Sequence, residues 1–233
     1  MTRLLLLSNS TNHGRGYLEH AMDAVRAFFG PLERLLFVPF ALHDAEGYAA
    51  RARAHFAAHG IAVDRLTPDA AGHAALQAAQ AVFVGGGNTF RLLDRLQRAG
   101  LLEPLRQRAL AGMPYMGASA GTNIAAPTLK TTNDMPIVQP ASFAALGLVP
   151  FQINPHYLDA DPASRHMGET REQRLQEYLE ENEAPVVGLR EGAWLRLEGG
   201  RLRLEGGPAA RIFRRGRAPE EVATGAVLDG LLG

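Results

Sequence analysis

The 233-residue chain has no cysteine, a single lysine (Lys130) and no net charge, since 24 basic residues balance 24 acidic ones. Without cysteine there can be no disulfide scaffold, no thiolate metal site and no cysteine nucleophile. A general nucleic-acid binder, or a protein held on an anionic membrane, needs a basic excess, so neither partner is expected. Long apolar runs are also missing. Leu4–Leu7 is far too short for a signal-peptide core or a membrane span, and no longer run follows. The cytoplasm is the expected compartment. The length fits one domain over residues 1–233, large enough to bury a core.

The first half alternates two patterns. Short apolar runs read as buried parallel strands: RLLLLS (3–8), RLLFVP (34–39), IAVDRL (61–66), AVFVGG (81–86) and MPYMGA (113–118). Helical spacing fills the gaps near 17–29, 45–59, 70–79, 89–98 and 102–111. Such alternation implies an α/β fold, a mostly parallel sheet flanked by helices. Residues 127–168 carry little periodicity. A helix is expected from GETREQRLQEYLEE, with Thr170 as cap and Gln173 at capping-box spacing. The stretch 185–207 reads as short strands with tight turns, so the sheet is expected to gain antiparallel strands toward the C-terminus.

In open sheets of this kind, ligands bind beyond the carboxyl ends of the strands. The loops there are SNSTNHG, GGGNTF and SAGTN. The last belongs to MGASAGTN (116–123), a G-x-S-x-G pattern between an apolar strand and a helix. A sharp turn there would push the Ser119 hydroxyl out of the sheet and aim the Ala120 N–H at a developing oxyanion. The bland alternative is a chance match in a glycine-rich turn.

A serine nucleophile needs a base. Of eight histidines, His156 has the best setting: FQINPHY ends an apolar run, and Pro155 keeps Asn154 extended. A loop-capping histidine is the competing reading. His13, His43 and His166 stay open as loop residues, and His20 and His73 read as helix surface. His55 and His59 lie four apart, but the glutamate of H-E-x-x-H and a third ligand are missing, so no metal is expected. Two carboxylates could orient the imidazole, Asp134 in TTNDMP and Glu191 in GLREGAW, and the sequence does not choose between them. Gly86, Gly87 and Asn88 in GGGNTF could supply oxyanion donors or cradle an anion, though the loop lacks the spacing of a nucleotide site. Arg171, just after the cap Thr170, could receive a carboxylate.

Seven segments together resemble the peptidase E family of serine peptidases (family S51, glutamine-amidotransferase-like fold): LLLLSNST, FVGGGNTFRLL, GASAGTN, TTNDMPIV, QINPHY, GETREQR and GLREGAW. The resemblance runs in order along most of the chain. It implies hydrolysis of dipeptides with an N-terminal aspartate, without metal, nucleotide or other cofactor. Ser119 would be the nucleophile, His156 the base, and Arg171 the partner of the substrate's aspartate. Both Asp134 and Glu191 match positions considered for the third member, with a slight lean to Asp134. Where a close relative in the family has tryptophan before the nucleophile, this chain has Ala118, from which a wider pocket and looser specificity are expected. Alternatives are a peptidase of broader N-terminal preference, a cyanophycinase-like enzyme, and a domain that binds an acidic metabolite without turnover. The oligomeric state stays open, a homodimer included.

Overall fold

The computed structural model describes residues 1–163, 165 and 167–233. The first half alternates as its periodicity predicts. Strands β1 (Leu4–Leu7), β2 (Arg34–Val38), β3 (Ala62–Arg65), β4 (Val82–Val84) and β5 (Tyr115–Ala118) are separated by helices α1 (Met22–Phe29), α2 (Ala45–Ala57), α3 (Ala70–Ala78), α4 (Thr89–Arg98) and α5 (Leu102–Leu110). A short helix, α6 (Ala120–Asn123), follows β5 directly. Then come β6 (Gln152–Pro155), α7 (Arg171–Glu181), β7 (Val186–Leu189), β8 (Ala193–Glu198), β9 (Arg201–Gly206), β10 (Ala210–Phe213) and β11 (Glu220–Val222). No helix among the described residues is long and apolar enough to cross a membrane.

The main sheet has the order β3-β2-β4-β5-β1-β8-β9. Its first five strands run parallel, and β8 and β9 add on antiparallel beside β1. Continuous apolar strands mean that both faces are covered. In β1, Leu4 and Leu6 enter one hydrophobic cluster and Leu5 and Leu7 the other. Helices α1 and α2 cover the second face through Val25, Phe28, Ala49 and Phe56. Helices α3 to α5 cover the first through Leu76, Leu92, Leu96 and Leu105. Fully burying one such leucine or phenylalanine is worth about 1.5–3 kcal/mol.

One expectation needs correcting. The antiparallel strands near the C-terminus do not all extend one sheet. β6, β7, β10 and β11 form a second, four-stranded sheet in the order β11-β10-β7-β6, with β6 and β7 parallel. Ile153, Val187, Leu189 and Ile212 of this sheet share the hydrophobic cluster of Leu4 and Leu6. The apolar residues of β6 and β7 thus find their partner in the face of the first sheet rather than at its edge. The chain crosses between the sheets at Arg190–Gly192, from β7 into β8.

Candidate active site

β5 ends at Ala118, and the next residue adopts φ 52°, ψ −108° before α6 begins. A positive φ at a non-glycine residue costs of order 1–3 kcal/mol and persists only where its surroundings enforce it. Here they do. The Ser119 N–H donates to the Leu7 carbonyl (3.1 Å), as does the Thr122 hydroxyl (2.6 Å). The buried Tyr115 hydroxyl donates to the Gly121 carbonyl (2.6 Å). The two flanking glycines allow the close packing. A Cβ on Gly117 would sit 2.6 Å from the Gly121 carbonyl group, and one on Gly121 would collide with the Val84 carbonyl. The G-x-S-x-G pattern therefore describes a strand, a turn and a helix that interlock.

His156 follows β6, in the second sheet, and also has a positive φ (54°). Its Nε2 lies 2.8 Å from Ser119 Oγ, and its Nδ1 lies 2.6 Å from Glu191 Oε1. Serine, imidazole and carboxylate are thus in line, drawn from two sheets. Ser8 pins them together. Its fully buried hydroxyl donates to the Leu189 carbonyl (2.7 Å) and accepts from the His156 N–H (2.9 Å). Asn9 holds the Glu191 turn by accepting from the Gly192 N–H (2.8 Å). Neither role of Ser8 or Asn9 was read from the sequence. The only signal was a pair of small polar residues where an all-leucine strand stops.

Asp134 makes different contacts. Its Oδ2 accepts from both the N–H and the hydroxyl of Thr89 (2.6 Å each), at the start of α4. The slight lean toward Asp134 as partner of His156 therefore has no counterpart in the geometry. The carboxylate is drawn instead to the unpaired N–H at a helix start. Its neighbours are equally committed. Asn133 donates to the Pro155 carbonyl (2.8 Å), Thr131 to the Ile153 carbonyl (2.8 Å), and Asn154 to the Thr131 carbonyl (2.8 Å). The TTND segment closes the outer edge of β6 with side chains.

In GGGNTF, Gly86 approaches the nucleophile so closely that a Cβ there would lie 3.1 Å from Ser119 Cβ. The amides of Gly85 and Asn88 donate to the carbonyls of Val38 and Ala41. The Gly86 amide faces the Tyr48 hydroxyl, the Gly87 amide has no protein acceptor among the described residues, and both glycines line a cavity of about 440 Å³ with Ser119, His156 and Asp134. Asn88, expected to bind substrate or oxyanion, is occupied otherwise. Its carbonyl caps α4 by accepting from the Arg91 N–H (3.0 Å), and its amide donates to the Met135 carbonyl (2.9 Å).

Thr170 and Gln173 form the expected capping box at the start of α7. Arg171 beside them is half-buried and has no hydrogen-bond or ion-pair partner among the described residues. Burial, with the charge of Arg174, lowers its pKa against the opposing pull of Asp134. It lines a separate cavity of about 450 Å³ with Leu158, Asp161 and Glu169. Ala118 lines neither cavity beside Ser119. It is fully buried among Leu7, Phe83, Met116 and Trp194.

Of the remaining histidines, His20 lies near Glu191. His59 contacts the Arg26 guanidinium through Nδ1 (2.6 Å), and His73 contacts the Ala99 carbonyl through Nε2 (2.8 Å). His13 and His43 are exposed. His166 lies outside the described residues. Among the described residues no group of three or more His, Cys, Asp or Glu side chains could hold a metal ion.

Comparison with known proteins agrees with this architecture. The family model described as Peptidase family S51 matches residues 4–205. A protein named Peptidase E from Streptomyces coelicolor is 62% identical over 229 residues, covering 98% of this chain and 94% of its own. A Drosophila melanogaster protein named "Probable alpha-aspartyl dipeptidase" is 48% identical, covering 98% of this chain and 97% of its own. Among solved structures, a peptidase from an acI-B1 actinobacterium superposes with a TM-score of 0.71 at 15% identity, covering 98% of this chain and 96% of its own, a likeness of fold. The chain belongs to peptidase family S51.

Proposed function

We propose that the chain is a serine dipeptidase acting on dipeptides with an N-terminal aspartate, through an acyl-enzyme on Ser119. The observation that carries this reading is the strained Ser119 with its hydroxyl 2.8 Å from His156 Nε2, while Glu191 stands 2.6 Å from Nδ1. His156 accepts the Ser119 proton as Oγ attacks the scissile carbonyl, and Glu191 stabilises the imidazolium that results. The oxyanion receives hydrogen bonds from the amides of Ala120 and of Gly86 or Gly87, a kind of contact worth about a hundredfold or more in rate. His156 then gives the proton to the leaving amine. Water, activated by the same imidazole, releases the aspartyl group and restores Ser119.

Arg171 is the receptor we assign to the substrate's side-chain carboxylate. It is a half-buried cation with no acid bound to it among the described residues, a state that an incoming carboxylate relieves. The relative named as an alpha-aspartyl dipeptidase supports the same choice. A broader N-terminal preference is the rival reading, favoured by Arg171 lining a different cavity from the one at Ser119. We assign the enzyme to the cytoplasm, on the ground that the sequence carries no long apolar run.

The test is a panel of Asp-Leu, Ala-Leu and β-aspartyl-Leu with the parent, Ser119→Ala and Arg171→Ala proteins. Ser119→Ala is expected to abolish turnover while the circular dichroism spectrum is kept. Arg171→Ala is expected to lower kcat/KM for Asp-Leu by roughly ten- to a hundredfold and to leave Ala-Leu nearly unchanged. Full activity in Ser119→Ala would end the mechanism. Equal losses on Asp-Leu and Ala-Leu would end the role of Arg171.

A further inference from the structure

Arg51 lies on α2, and nothing in its sequence neighbourhood marks it. Its guanidinium carbon sits 4.8 Å from the centre of the Tyr48 ring and 5.3 Å from that of Tyr17. Two aromatic rings thus hold the cation in place. A guanidinium carries a planar fork of N–H donors matched to a carboxylate.

No carboxylate among the described residues forms an ion pair with this fork. Glu46, on the same helix, pairs with Arg53 and Arg65 instead. Arg190 and Arg211, by contrast, are paired, Arg190 with Asp159 and Glu221 and Arg211 with Glu172. Arg51 has no ion pair among the described residues, although the chain carries 24 acids. It also lines the cavity of about 440 Å³ that holds Ser119, His156, Gly86 and Gly87. A positioned, unpaired guanidinium therefore faces the same space as the nucleophile.

We infer that Arg51 binds the free C-terminal carboxylate of the substrate, on the residue that leaves as the amine, and so makes the enzyme count residues. In a dipeptide that carboxylate is one residue from the scissile bond, about 3.8 Å of chain. Each further residue moves it outward by about the same step, out of reach of a cation held between two rings. The inference rests on the serine-dipeptidase reading, with Arg171 serving the aspartate side chain. Between them the two arginines account for both carboxylates of Asp-X.

The experiment compares Asp-Leu with Asp-Leu amide, and Ala-Leu with Ala-Leu amide, in the parent, Arg51→Gln and Arg51→Lys proteins. The parent is expected to prefer each acid over its amide about tenfold or more in kcat/KM. Arg51→Gln removes that preference by raising KM for the acids, with kcat held and the amides little changed. Arg51→Lys recovers part of it. Binding of Asp-Leu and its amide to the Ser119→Ala protein, measured by calorimetry, gives the same ratio without turnover. Equal losses on acid and amide, or no preference in the parent, would overturn the role of Arg51. Failure of the aspartate reading has a different signature: Ala-Leu is then cleaved as well as Asp-Leu, while the acid-to-amide ratio still reports on Arg51.

Discussion

Glu191 and Asp134 are the same functional group in two settings. Glu191 stands at a turn, half in solvent, with one oxygen on His156. Asp134 spends Oδ2 on Thr89. The first can hold the imidazole in the tautomer that leaves Nε2 free to accept a proton. The second secures a loop against a helix start. Glu191→Gln is therefore expected to lower kcat by about a hundredfold or more with a nearly unchanged melting temperature. Asp134→Asn is expected to cost less than about tenfold in kcat, with a melting temperature lower by a few degrees. Steady-state kinetics and thermal melts on both variants decide, and the reverse ranking in kcat would return Asp134 to the histidine.

At the scale of the element, the strand-turn-helix unit around Ser119 depends on contact between backbones. Gly121 faces the Val84 carbonyl with no room for a Cβ. Gly121→Ala is expected to cost about 1–3 kcal/mol, a fall in melting temperature of roughly 2–12 °C for a chain of this length, with a loss of activity as the Ser119 turn shifts. Gly230→Ala, whose Cβ would meet open space, is the control and is expected to leave both unchanged. A Gly121→Ala protein as stable and active as its parent would remove the close-packing argument. These elements were also the most legible in the sequence. Four-residue apolar runs and glycine stops place β1 to β5 and α1 to α5 within a few residues, because buried parallel strands and amphipathic helices carry local periodicity. The capping box at Thr170 is legible for the same local reason. The second sheet was not. β6 and β7 look like any apolar strand, and what separates them from β8 is a long-range choice of partner. β10 and β11 are short, contain arginine and glutamate, and show no alternation strong enough to read. Within the site, Ser119, His156 and the pair of candidate acids were legible as residue types in strand-end loops. The choice of Glu191, the pin at Ser8 and the cation at Arg51 depend on contacts between segments far apart in sequence, which no local pattern encodes.

Across the whole molecule, two histidines tie stability to pH. His20 and His55 both have pKa values lowered, burial being the main cause, while nearby glutamates at positions 19 and 191 pull His20 the other way. Both ring nitrogens of His20 and Nε2 of His55 are buried without a partner among the described residues. The fold thus disfavours their protonated forms. Between the lowered folded pKa and the unfolded value near 6.5, the unfolded chain binds more protons, so stability rises with pH. It is fully present above about 6.5 and is lost as pH falls through the folded values. The melting temperature is expected to fall from about pH 7 to about pH 5, and His20→Gln is expected to make that slope shallower. Identical slopes in parent and variant would show that His20 is not a source of the effect.

The nucleophile rides on one sheet and the base on another, the carboxylate sits in the turn that joins them, and one buried hydroxyl at Ser8 spans the seam. Turnover is consequently a gauge of how the two sheets are aligned. A slip of a single ångström along that seam opens the 2.8 Å contact between Ser119 and His156, yet it breaks no rung of either ladder. Heat, pressure or denaturant that loosens the seam silences the enzyme while its strands are still intact.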